Sequence, residues 1–476
     1  MHPQPAGDFY ACSHTGRNSG SRALSALMEL GLLCWPMICA AQMVGPTPQP
    51  QGIPVTPEQA EQVQPENWAI HGDGTITWEL QPAFRSPYSG PQSLSPPANG
   101  RETIDTTLYA GIRPWLGAEI WINPEVDQGF GLSDSFGVAG YPSGEAYFGK
   151  MDPYFLVQRG FLRQTIDLGG ETEKVDPDLN QLGGTQTGNR LVLTIGKYSI
   201  VDIFDTNTYA HDPRHDFLNW SIIDQGAFDY TANAWGYTYG GAAEWYQNWW
   251  TVRTGVFDLS LTPNSVALSN YGFAQGQFVA ELEERHHLWD QPGKLKLLYW
   301  LTHGNLGTYL DAITLGAATG QIPSTGTVRS FRNKDGVGLN LEQQIATDLG
   351  VFARASMSQG TVEEVDFTDI NQSLSAGLSL KGSRWARPND TVGLAGVANR
   401  ISHQGKLYLA AGGLGGIIGD GQLPNAGPEQ ILEAYYRAAV FSFAYVAADY
   451  QFINNPAYNR DRGPVSIFAL QLHVQY

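Results

Sequence analysis

Cysteine is missing from almost the whole chain: Cys12, Cys34 and Cys39 all lie within the first 39 of its 476 residues. No disulfide framework is therefore expected beyond that region, even in an oxidising compartment. Basic residues are scarce, with 28 Lys+Arg against 46 Asp+Glu and a formal net charge of -18. That excludes the clustered cations nucleic acid demands, so no nucleic-acid partner is expected. Beyond residue 42 no run of 18 uncharged apolar residues occurs; Ala438 to Ala448 comes nearest and contains Ser442, so no membrane-spanning helix is expected there. Repeats of fixed period, which would mark a solenoid or propeller, are also missing.

Glycine and aromatics are abundant instead: 55 Gly, 13 Trp, 22 Tyr and 20 Phe. This composition points to a β-rich fold and is foreign to disordered chains. Residues 1–41 carry Arg17 and Arg22, an apolar run from Ala23 to Ala41 and small residues at its end. They read as a cleaved secretory signal, with a membrane anchor as the rival; Glu29 and Pro36 interrupt the run. Residues 42–66 are rich in Pro and Gln without hydrophobic period and are expected to be a flexible lead-in.

From Trp68 the pattern has period two. Trp68, Ile70, Ile76, Trp78 and Leu80 alternate with Ala69, His71, Asp73, Thr75, Thr77 and Glu79. Similar alternation runs through LYAGIRPWLGAEIWIN, RLVLTIGKY, GLNLEQQ, LGVFARAS, LSAGLSLKG, QILEAYYRAAV and AYVAADYQF. Many apolar-face residues are small (Gly72, Gly74, Ala110, Ala118, Ala434, Ala438), too small to fill a sandwich core. The other faces mix Trp, Tyr, Arg and Glu. An inverted arrangement fits better, apolar outward to lipid and polar inward to a lumen, because a mid-bilayer Arg or Lys costs about 2–4 kcal/mol. The chain ends on Phe468, Leu470, Leu472, Val474 and Tyr476 in strict alternation. These residues read as the closing strand of a transmembrane antiparallel β-barrel pairing with Trp68–Leu80, and as the aromatic signal that outer-membrane assembly machinery reads. Residues 67–476 form that one domain. An edge strand of a secreted sandwich is the rival reading.

Several segments go further: FRSPYSGPQSL (84–94), TTLYAGIRPWLGAEIWINPE (106–125), IGKYSIVDIFDTN (195–207), GLNLEQQIATDLGVFAR (338–354), GLSLKGSRWARPNDTVGLA (377–395) and, over 408–436, YLAAGGLGGIIGDGQLP with PEQILEAYY. In this order they resemble the carbohydrate-selective porin family (OprB type) of Gram-negative outer membranes. Where that family more often has Gly within its Trp-x-Arg-Pro element, this chain has Ala386. The resemblance implies a closed barrel of about 16 antiparallel strands, each of about ten residues. It also implies facilitated diffusion of small neutral sugars, with no enzymatic activity and no cofactor. Expected surroundings are outer-membrane lipid and lipopolysaccharide, as a monomer or small homo-oligomer, with the long Gly-rich loops outside.

A sugar pore needs a lining: aromatic rings for C–H faces, and charged groups for hydroxyls. On the second strand Arg113, Trp115, Glu119 and Trp121 are expected to share the inward face as a ladder of weak sites. Arg253, Asn340, Glu342 and Arg354, with Glu433, Tyr435 and Arg437, fall on other inward faces, unless these charges merely pair and brace the barrel. Other motifs are weaker. AGGLGGIIGDG (411–421) misses nucleotide-loop spacing and reads as an extracellular or constriction loop. His211 and His215 flank Pro213, which spoils a helical metal site. VEEVDFTD (362–369) reads as a solvated charge run or part of a negative vestibule, with paired carboxylates for glycoside hydrolysis as the rival. A secreted glycan-binding protein or hydrolase, and an exopolysaccharide exporter, remain the alternative functions.

Overall fold

A strand apolar on one face and polar on the other can satisfy lipid only if its backbone bonds are closed on both sides. The computed structural model, which describes residues 52–145, 149–269, 274–366 and 368–476, meets that demand. Its strands are β1 Trp68–Gln81, β2 Asn99–Ile112, β3 Ala118–Gly129, β4 Tyr154–Asp167, β5 Arg190–Tyr198, β6 Thr238–Gln247, β7 Trp250–Asp258 and β8 Gly276–Leu288. They continue as β9 Gln291–Leu306, β10 Ser330–Ala346, β11 Leu349–Ser358, β12 Gln372–Gly382, β13 Arg387–Arg400, β14 Glu429–Phe441, β15 Ala444–Asn454 and β16 Val465–Gln475. Each pairs antiparallel with the next, and β16 returns to β1, closing a barrel. RLVLTIGKY coincides with β5.

The closure pairs the expected strands, with Phe468 opposite Leu80 and Gln475 opposite Asp73. Trp78, Leu80, Phe468 and Leu470 are exposed on the outer face, while Thr77, Gln471 and His473 are buried inside. The terminal backbone is bonded to the end, since Gly72 N donates to Tyr476 O and Tyr476 N to Gly72 O, both at 2.8 Å.

One end of the barrel has tight turns, at 248–249, 289–290, 347–348 and 442–443; the other carries the long connections, including 199–237 and 401–428. Short turns mark the periplasmic end of such barrels. That end is ringed by exposed aromatics, among them Trp68, Trp115, Trp249, Trp289, Phe441 and Tyr476, as interfacial belts require. One long Gly-rich segment departs from the expected placement. Residues 168–189 lie at the short-turn end, between β4 and β5, not among the long loops. They form a hairpin of Thr172–Val175 and Gly184–Thr187, against which Ile53–Pro54 adds a third strand. Part of the expected flexible lead-in thus holds regular structure. Pro57–Gln62 is a helix with a reciprocal cap, where Gln59 N donates to Thr56 Oγ1 (3.3 Å) and Thr56 N to Gln59 Oε1 (2.9 Å). The expected signal at 1–41 lies outside the described residues. Among those described, no helix is long and apolar enough to cross a membrane.

Much of the interior is filled by side chains and an infolded loop. On inward faces an aromatic ring repeatedly lies over a glycine directly opposite on the neighbouring strand: Trp121 over Gly111, Phe257 over Gly240, Trp300 over Gly336, Phe352 over Gly377 and Tyr435 over Gly393. A Cβ on Gly111 would stand 2.5 Å from the Trp121 ring, so only glycine lets that ring lie flat on the wall.

The loop 199–237 runs inside the barrel, with Phe204, Phe217, Ile222, Phe228 and Tyr230 all buried. Its backbone groups find partners on the wall, as buried polar groups must. Asp205 N donates to Glu281 of β8 (2.8 Å) and Thr208 N to Glu342 of β10 (2.7 Å). Arg354 of β11 donates to Ala210 O (2.7 Å) and Ile222 O (2.8 Å). Asn219 N reaches Glu433 of β14 (3.1 Å), and Gln471 of β16 donates to Pro213 O (3.1 Å). The run VEEVDFTD is not solvated. Glu363, Glu364, Asp366 and Asp369 are all buried. Glu364 pairs with Lys334, which also holds Asp229 at 2.8 Å. Asp369 accepts from Gly416 N (3.0 Å) and Ile417 N (2.8 Å), drawing the glycine-rich loop 411–421 into the mouth.

Candidate functional site

Because loop 199–237 docks on β8 to β16, the remaining space lies against β2 to β4. A cavity of ≈ 210 Å³ opens there, far beyond the ~10–15 Å³ a single water needs. Its wall supplies Asp105 from β2, Glu125 and Asp127 from β3, and Gln158 and Arg159 from β4. Glu145, Asp202, Asp212, Arg214 and Asp224 enter from connecting segments, with the rings of Trp220, Trp235 and Tyr237. Seven carboxylates thus face two guanidinium groups, Arg159 and Arg214. The acid surplus of the composition is expressed in the lumen, where a low-dielectric wall strengthens its field.

Those two arginines are already engaged. Arg159 makes a two-pronged pair with Asp202, at 2.7 Å from Nε and 2.6 Å from Nη2, and lies 5.0 Å from the Tyr237 ring centre. Arg214 reaches Asp105 at 3.4 Å and Glu145 at 3.6 Å. Burial pushes the Glu145 carboxyl upward, against the pull of Arg214. Burial acts the same way on Asp212, but the neighbouring His215 and Arg214 charges hold its carboxyl below the usual range. His211 is raised because Asp224 beside it outweighs burial. His211 and His215 therefore serve as partners of Asp224 (3.6 Å) and Asp212 (3.0 Å).

Arg159 and Asp202 also line a second, smaller cavity, with Phe161, Arg163, Asn180 and Tyr198. Their ion pair is shared by the walls of the two spaces. Beyond it, toward the short-turn end, lies most of the ladder expected from the sequence. Arg113 approaches Glu119 at 3.8 Å, Arg163 approaches it at 3.4 Å, and Trp121 Nε1 donates to it at 2.9 Å. Trp115 is not in that group. β2 ends at Ile112, and a turn with Gly117 at φ 73° precedes β3, so the expected single strand is two. Trp115 sits in the turn, 54% exposed, and donates to Gln164 Oε1 at 2.6 Å.

The other expected lining residues are placed elsewhere. Arg253 is buried among Glu244 (3.0 Å), Glu281 (2.8 Å) and Glu283 (3.0 Å). Asn340 donates to Asp205 Oδ1 (2.7 Å), and Glu342, Arg354 and Glu433 hold loop 199–237 as described above. Tyr435 packs edge-on against Phe217, ring centres 5.0 Å apart, and Arg437 lies 4.7 Å from the Tyr445 ring centre. Sequence reasoning missed Asp105, Asp127, Arg159, Asp202, Trp235 and Tyr237. Asp105 and Asp127 follow Ile104 and Val126 on strands of period two and were legible in principle; Arg159 follows Gln158 beside a bulge that breaks the alternation, and the loop residues carry no period.

A closed barrel with an apolar belt and a polar lumen narrowed by an infolded loop defines an outer-membrane channel of the porin class. Residues 92–476 match the family described as "Carbohydrate-selective porin, OprB family", and the chain belongs to it. It is accordingly a sugar porin of the Gram-negative outer membrane, with a channel-type fold. The high-pH structure of Pseudomonas putida OprB is similar, with 16% identity and a TM-score of 0.66 over 86% of this chain and 94% of that one. Acinetobacter baumannii OccAB1 (11% identity, TM-score 0.46, covering 90% and 99%) and DcaP of the same species (10%, 0.45, 86% and 97%) are also similar. No curated protein sequence matches.

Proposed function

We propose that small neutral sugars, mono- and short oligosaccharides, cross by facilitated diffusion along the gap between loop 199–237 and strands β2 to β4. The observation carrying this reading is the mixed lining, Trp220, Trp235 and Tyr237 among charged groups beside the Arg159–Asp202 ion pair. Rings cover sugar C–H faces while carboxylates and guanidinium groups bond hydroxyls, loosely enough for release. Arg113, Glu119 and Trp121, with Arg163, then form the periplasmic exit. Lipid and lipopolysaccharide surround the belt, residues 1–41 are the removed signal, and Phe468 to Tyr476 is the stretch the assembly machinery reads. The barrel works as a monomer or small homo-oligomer. Liposome swelling tests the transport reading: fast entry of mono- and disaccharides with slow entry of equally sized anions is expected. No entry of any sugar, from protein that migrates as a folded barrel, would refute it.

A further inference from the structure

Within the larger cavity the charges are unevenly answered. Asp127 is 1% exposed, lines the cavity, and neither of its carboxylate oxygens has a hydrogen-bond partner. It stands directly opposite Asp105 across the β2–β3 ladder, where like charges repel at a Cβ separation of about 4.5–5.5 Å. Two residues along β3, Glu125 is also turned into the cavity. Its oxygens accept only from neutral donors, Thr107 Oγ1 at 2.7 Å and Gln158 Nε2 at 3.0 Å. Arg214, the nearest guanidinium, is divided between Asp105 and Glu145, and Arg159 is taken by Asp202. An uncompensated carboxylate pair buried this way is costly to hold empty. Trp235, also in the cavity lining, is held by donating from Nε1 to Tyr154 Oη at 3.2 Å, and Tyr154 pairs with Asp127 in the β3–β4 register. A flat apolar ring therefore stands near the free carboxylate.

We propose that this cavity is a binding site for protonated amino sugars, the ammonium group held by the Asp127 and Glu125 carboxylates and the pyranose face covered by Trp235. The inference rests on the sugar-porin reading and narrows its substrate class. An ammonium supplies several donors and one positive charge, which the carboxylate pair lacks. A neutral hydroxyl in the same place supplies a donor without the charge. The selectivity then runs amino sugar first, neutral sugar next and uronate last.

Single-channel recording on the full-length protein in planar bilayers, in neutral buffer, compares current block by glucosamine, N-acetylglucosamine, glucose and glucuronate. A charge-assisted bond in place of a neutral one should lower the half-blocking concentration of glucosamine roughly tenfold below that of N-acetylglucosamine. Asp127→Asn should bring the two to the same value, and Asp127→Glu should restore the difference. Equal block by the amine and the acetamide in the unaltered protein overturns the proposal without any variant. So does a preference that survives in D127N, which would place the ammonium elsewhere. If calcium at constant ionic strength abolishes the glucosamine preference and itself closes the channel, a divalent cation is the occupant and the proposal fails. Should glucose and the other sugars neither block nor enter liposomes, the sugar-porin reading itself has failed, a result distinct from loss of the amine preference alone.

Discussion

Single side chains in this barrel are governed by whether burial leaves them a partner. Asp369 belongs to a run that looks solvated in the sequence, with four acids in eight residues. In the structure it is 1% exposed, and burial pushes its carboxyl up to about 6 even though the backbone N–H groups of Ile417 and Gly416 favour the charged form. A pKa raised above the unfolded value of 3.8 means the folded state binds the proton more tightly. That contribution is fully present below pH 3.8 and is lost as the pH rises through about 6. Asp369→Asn should not show this slope. Thermal loss of heat-modifiable migration, followed from pH 4 to pH 7, should turn progressively in favour of D369N relative to the parent protein. A constant difference across that range would show that Asp369 does not titrate there. The same scale contains Ala386, which stands at φ 60° where glycine has no Cβ penalty, so the loop keeps its left-handed turn despite the substitution.

At the scale of elements, the wall was legible and its filling was not. Lipid imposes an uncharged face on every strand, and that constraint writes period two into the sequence; hence Trp68–Leu80 and the last strand could be assigned face by face. The ladder at 113–121 misled because Arg113, Trp115 and Glu119 stay in phase across a turn, and only Pro114 and Gly117 betray it. Loop 199–237 carries no period at all, because its backbone polar groups are satisfied one by one from the wall. Residues such as Glu342, Arg354 and Glu433 therefore look like pore lining in the sequence and act as fastenings in the structure. Arg354→Ala tests this. It leaves the carbonyls of Ala210 and Ile222 short of a buried donor, while Asp205 O keeps Asn340 Nδ2 at 3.1 Å; each unsatisfied group costs about 1–3 kcal/mol. A loss of ~3 kcal/mol raises the population of the undocked loop by roughly a hundredfold. Limited proteolysis should then cut within 199–237 much faster while the barrel keeps its folded migration. Unchanged cleavage would show that Arg354 is dispensable to docking.

For the whole molecule, closure is the property that every strand depends on, and β16 separates two requirements that its sequence merges. Leu470 faces lipid opposite Trp78 in the β1–β16 seam, 47% exposed. Leu470→Arg puts a charge on that face, costing about 2–4 kcal/mol near mid-bilayer. It should weaken folding wherever the barrel forms, both on refolding in detergent and in cells. Tyr476 differs: the residue is 84% exposed, and its seam bonds to Gly72 are made by backbone. Removing the ring in Tyr476→Ala therefore takes away almost no packing within the fold. If the terminal aromatic is read by the assembly machinery, Y476A should refold in detergent with unaltered heat-modifiable migration yet reach the outer membrane of cells in several-fold lower amount. L470R should be impaired in both measurements. Equal assembly of Y476A and the parent protein would remove the recognition role and leave the alternation of the last strand explained by its place in the wall alone, since a closing strand must pair its backbone on both sides and still turn apolar side chains to lipid.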